Sequence, residues 1–149
     1  MTAKIVIVVE DPQWKRFGGG LARRLRKAAR LALGDAEPTV TILLAGDAAL
    51  RALNAQFRGK DEATNVLAFP ASEPDYLGDV AIAYGVAARE AEAAKKPLID
   101  HVTHLVVHGT LHLLGYDHVR AREAKRMESL ETKLLATLGI ADPYAKAKR

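Results

Sequence analysis

His108-Gly109-Thr110-Leu111-His112-Leu113-Leu114-Gly115-Tyr116-Asp117-His118 is the stretch from which the rest of the chain is read. Two histidines four positions apart share one face of a helix, because side chains at i and i+4 stack above one another. Gly115 offers a residue able to turn left-handed and end that helix. The chain can then fold back and bring His118 toward His108 and His112. Three neutral imidazoles with a fourth tetrahedral position open form the pattern of a catalytic zinc site, whereas a closed structural site is more often built with cysteine. This chain has no cysteine.

The spacing H-x-x-x-H-x-x-G-x-x-H equals that of the metzincin peptidases, with one difference. Their second position is a glutamate, the general base; here it is Gly109. The scaffold for a metal is kept and the peptidase base is missing. His101 and His104 are rival ligands, since 101, 104, 108 and 112 fall on one helix face at 100° per residue. Three ligands on one straight helix would spread over roughly 10 Å of axis, too far for one ion with bonds near about 2 Å. His104 therefore reads as a buried or outer residue beside the ligands, and His101 as a surface residue. Asp117 could orient a ligand imidazole or polarise water, and on residue type it equally suits the turn.

The H-G-x-L-H-L-x-G-Y-D-H stretch resembles the signature of the YbeY family, metal-dependent endoribonucleases of ribosomal RNA maturation. A second segment is similar: Arg58-Gly59-Lys60-Asp61-Glu62-Ala63-Thr64-Asn65-Val66-Leu67-Ala68-Phe69-Pro70, with Ala63 for a usual Pro and Ala68 for a usual Ser. Leu77-Gly78-Asp79-Val80, Glu123-Ala124 and Met127-Glu128 also match, so the resemblance runs from about residue 50 to 131. It implies one zinc ion on His108, His112 and His118, and an Arg58 important for activity. It further implies small-subunit ribosomal RNA as substrate, chiefly its 3′ end, with a role in ribosome quality control. A small-subunit ribosomal protein and an assembly GTPase are implied as partners. Read without the resemblance, Arg58 ends a helix before a polar loop. There it could grip a phosphate bidentately or simply suit the helix dipole.

Composition sets the frame. The 149 residues suggest one domain, and 49% apolar residues suffice for a sizeable core. A net charge of +4 favours a polyanionic partner without proving one. The run Ile5 to Val9 is too short for a signal peptide or a membrane span, and the absence of cysteine gives no sign of secretion; the expectation is a cytoplasmic protein with no membrane partner.

Along the chain, Ile5–Val9 reads as a buried strand. A helix is expected over Leu21–Leu33, with Leu21, Leu25, Ala28 and Ala32 inside and Arg23, Arg24, Arg26, Lys27 and Arg30 outside. That basic surface could track phosphates or be solvated, and the glycine triplet before it reads as a loop. Strands follow at Val40–Leu44, Val66–Phe69 (stopped by Pro70) and Gly78–Ala83. Helices are expected from Asp47, as N-cap, to Phe57, and over Val86–Lys96, Leu98–Leu114 and Arg120–Leu138. The last presents Met127, Leu130, Leu134 and Leu138 inward, and residues 140–149 read as a frayed basic tail. The fold class is α+β: a small mixed four-stranded sheet packed with helices, with the metal site at the end of a central helix. Two other functions remain to be separated from the nuclease: a ribosome-assembly or RNA-binding factor with a structural metal, and a zinc peptidase.

Overall fold

The structure, a computed structural model, describes residues 4–36, 38–116 and 120–145. Strand β1 (Ile5–Val9) leads through a 3₁₀ turn (Pro12–Phe17) into helix α1 (Gly19–Leu33) and strand β2 (Thr39–Ala45). Helix α2 (Asp47–Arg58), the hairpin β3 (Val66–Glu73) and β4 (Tyr76–Ala83), and helices α3 (Tyr84–Ala93), α4 (Leu98–Leu113) and α5 (Ala121–Thr137) complete it. The sheet order is β1-β2-β4-β3; β1, β2 and β4 are parallel, and β3 is antiparallel to β4. The expected mixed four-stranded sheet with helices is thus the observed architecture.

Strand periodicity divides the core. Val40, Ile42, Leu44, Val80 and Ile82 join the larger cluster with Leu25 and Ala29 of α1 and Val106 and Leu111 of α4. Ala45, Ala81, Ala83 and Leu67 belong to a smaller cluster with Leu50 of α2. Helix α4 packs on α1, α3, α5, β3 and β4, which explains its apolar character on most sides. Its two buried threonines satisfy their hydroxyls on the preceding turn, Thr103 on Ile99 O (2.6 Å) and Thr110 on Val106 O (2.7 Å).

Four local expectations need correction. β1 is not buried on both faces: it pairs with β2 at the sheet edge, and Val8 and Val9 are exposed. Pro70 does not stop β3, because an edge strand tolerates a residue without an N–H. Gly46, not Asp47, is the N-cap of α2; the Asp47 carboxylate instead accepts from Val86 N (3.0 Å) in the first turn of α3. The tail does not fray from residue 140, since Ile140 is buried and the Tyr144 hydroxyl donates to Glu131. Among the described residues, no helix is long and apolar enough to cross a membrane.

Candidate active site

Helix α4 ends as its sequence predicts. Gly115 has φ +100°, a conformation that disfavours any side chain. The N–H of Gly115 donates to His112 O (3.0 Å) and that of Tyr116 to Leu111 O (3.1 Å), the paired bonds of a Schellman motif. The chain therefore turns sharply one residue after Leu114. Asp117, His118 and Val119 lie outside the described residues.

On the last two turns of α4, His108 and His112 line one cleft of about 110 Å³ together with Gly109, Val66, Leu67, Ala68 and Arg58. Arg58 reaches it from α2, which stops at Gly59. Its Nη2 donates to Ala68 O (2.9 Å), and its guanidinium lies 5.9 Å from the Phe69 ring centroid, within cation–π range. The start of β3 is fixed beneath α4 by a polar relay. Asn65 Oδ1 accepts from Val66 N (2.7 Å), Asn65 Nδ2 donates to Glu90 (3.0 Å), and Glu90 meets His101 Nε2 (2.9 Å). The histidines and Arg58, some fifty residues apart in sequence, thus share a site because β3 lies next to β4 under α4.

Gly109 has a steric explanation. A Cβ there would sit 2.6 Å from Val80 Cγ1 and 3.2 Å from its Cγ2. The helix touches the sheet at the position where a metzincin carries its glutamate, so a carboxylate has no room.

His101 is not a surface residue. It is 8% exposed, and burial lowers its pKa despite the bond to Glu90. His104 is half-buried, and its Nε2 lies 3.2 Å from Glu131 Oε2. The other oxygen of Glu131 bonds His108 Nδ1, and the Tyr144 hydroxyl donates to Oε2. Glu131 is fully buried. Burial pushes its carboxyl up, but the bonds from His104, His108 and Tyr144 outweigh that and hold it at about 2, below the ordinary 4.5. Burial and Glu131 together push the Tyr144 hydroxyl pKa up, so it stays a donor. Sequence reasoning missed both residues. A signal existed for one: Glu131 stands between Met127 and Leu135 at helical spacing, a carboxylate within an apolar stripe.

Among the described residues, no three His, Cys, Asp or Glu side chains converge as metal ligands. The pair that is described fits its expected share of a zinc site. Two imidazoles one turn apart face one cleft, and one of them is backed by a buried carboxylate, as metal-bound histidines commonly are. On the outer helix, Arg24 pairs with Asp100 (3.3 Å) and Arg26 donates to Ile5 O (3.4 Å), while Arg23, Lys27 and Arg30 are exposed.

A family model described as Endoribonuclease YbeY matches residues 13–139. The chain belongs to the YbeY family. A relative from Maricaulis maris named Endoribonuclease YbeY is 49% identical over 93% of this chain and 89% of its own. Another of that name from Ruegeria pomeroyi is 46% identical over 93% of this chain and 96% of its own. The YbeY relatives carry the name of a nuclease that cuts within RNA, and that is the activity class of this chain. The peptidase alternative falls with it. A protein of Thermotoga maritima solved in solution shares the fold, with a TM-score of 0.58, 24% identity and coverage of 95% of this chain and 99% of that one.

Proposed function

We propose that this chain is a zinc-dependent, single-strand-directed endoribonuclease acting in 16S ribosomal RNA 3′-end maturation and ribosome quality control. The observation that carries the reading is the meeting of His108, His112 and Arg58 around one cleft. In this reading His118 is the third ligand and one Zn²⁺ is held. When bound, zinc supplies a Lewis acid that polarises a phosphoryl oxygen and acidifies water. Arg58 grips the scissile phosphate and offsets charge on it as it becomes five-coordinate. Glu131 orients nothing on the substrate itself; it lies behind His108. No carboxylate stands at 109 to act as the metzincin base does; the nucleophile is water or the RNA's own 2′-hydroxyl. The partners of this reading are ribosomal RNA, a small-subunit ribosomal protein and an assembly GTPase, in the cytoplasm.

The test is metal analysis of purified protein alongside cleavage of ribosomal RNA fragments by the parent, His112→Ala and Arg58→Ala. The expected result is one zinc per chain in the parent. Cleavage should fall at least about a hundredfold in both variants, with zinc retained in Arg58→Ala. A folded, zinc-loaded Arg58→Ala cutting at the parent rate would remove Arg58 from the mechanism. Protein that unfolds on chelation, with no preparation cutting RNA, would favour an assembly factor with a structural metal.

A further inference from the structure

Glu131 is costly where it stands. Met127 and Leu135, a turn before and after it, are buried and apolar, and an aliphatic residue would anchor α5 without desolvating a charge. A buried ion pair is weak evidence of a stabilising role, so the carboxylate needs another account. Both oxygens face histidines of α4: Oε1 meets His108 Nδ1, and Oε2 meets His104 Nε2 at 3.2 Å.

A neutral imidazole carries one N–H, and the hydrogen bond made by one ring nitrogen sets which that is. A carboxylate only accepts, so Oε1 requires the N–H of His108 on Nδ1. The lone pair then belongs to Nε2, on a residue that lines the cleft with His112 and Arg58. The carboxylate is itself held. Tyr144 donates its hydroxyl to Oε2, and its ring stands edge-on to His104, 5.6 Å between centroids at 89°. Asp142 fixes the turn beneath, accepting from Tyr144 N (2.8 Å) and Thr132 Oγ1 (3.2 Å). Ile140 buries the segment's start.

We propose that Glu131 is a positioning residue: it fixes the His108 tautomer that directs the Nε2 lone pair to the cleft, and the segment Ile140–Tyr144 holds the carboxylate in place. Its value for a divalent cation rests on the zinc reading above; its action on His108 does not.

The experiment uses histidine-labelled, metal-free full chain as parent, Glu131→Gln and Tyr144→Phe, with His108 assigned through His108→Ala. Nitrogen NMR reads the tautomer, and competition with a chromogenic chelator reads Zn²⁺ affinity. The parent should show Nδ1–H. An amide can donate as well as accept, so Glu131→Gln should mix the tautomers and weaken Zn²⁺ binding about ten- to a hundredfold. Tyr144→Phe keeps the ring against His104 and should shift both readouts the same way by less; it decides the matter if Glu131→Gln does not fold. Nε2–H in the parent, or folded variants with parental tautomer and Zn²⁺ affinity, would overturn the proposal. A parent with Nδ1–H that binds no Zn²⁺ ends the zinc reading and supports the action of Glu131 on His108.

Discussion

At Gly109 one hydrogen atom in place of a side chain decides which chemistry α4 can carry. The close approach of Val80 excludes a general base from that position, and His108 and His112 on either side line a cleft with Val66, Leu67 and Ala68 of β3. Gly109→Ala should overpack the seam and destabilise the protein by about 1–3 kcal/mol, read from urea unfolding of the metal-free chain. A variant as stable as the parent would show that the helix can lift off the sheet freely. His101 gives a second test at this scale. Its folded pKa is depressed below 6.5 by burial, so the unfolded chain binds the proton more readily. Its stabilisation is full above 6.5 and declines as pH falls through the window below that value. His101→Gln should flatten that part of the stability curve, whatever its effect on the level. An unchanged slope between pH 7 and 5 would contradict the depressed value.

Among elements, α4 was the most legible, because histidine spacing and Gly115 mark a face and an end that local geometry enforces. It is expected to end at Leu114 and ends at Leu113. The edges of the sheet were less legible. A continuous apolar run does not reveal that β1 has a neighbour on one side, and Pro70 does not announce that β3 is an edge where its missing N–H costs nothing. The role of Asp47 depends on α3 arriving beside it, thirty-nine residues later, which no local pattern encodes. Gly115 carries the prediction here. Gly115→Ala must enter φ +100° or unwind the Schellman turn, and should cost at least about 1 kcal/mol in urea unfolding. If His118 is a ligand, the same variant should also bind Zn²⁺ more weakly, since the turn governs where residue 118 can go. Parental zinc affinity in a destabilised variant would separate the turn from the site.

For the whole molecule, the four strands could be read from the sequence, but the insertion of β4 between β2 and β3 could not. Parallel pairing over long separations leaves no local trace, and it is this pairing that sets Arg58 across from α4. Glu131 and Tyr144 were hidden for the same reason: spacing shows a carboxylate on a buried stripe but not which imidazoles it meets. The large cluster of α1, α4 and the sheet is built of apolar side chains. Chelation should therefore leave the chain folded. Zinc at one hundred times its Kd should add about 2.7 kcal/mol, a rise in thermal midpoint of roughly 5–10 °C. Unfolding on chelation would instead mark the metal as structural.

In the proposed site His108, His112 and His118 share one zinc ion with a position left for water or phosphate. The most direct measurement is zinc X-ray absorption of the loaded parent and of His118→Ala. The expected spectrum shows three imidazole nitrogens at about 2.0–2.1 Å and one further oxygen in the parent, with one imidazole lost in the variant. An identical zinc environment in both proteins, or a fourth protein ligand in the parent, would contradict it.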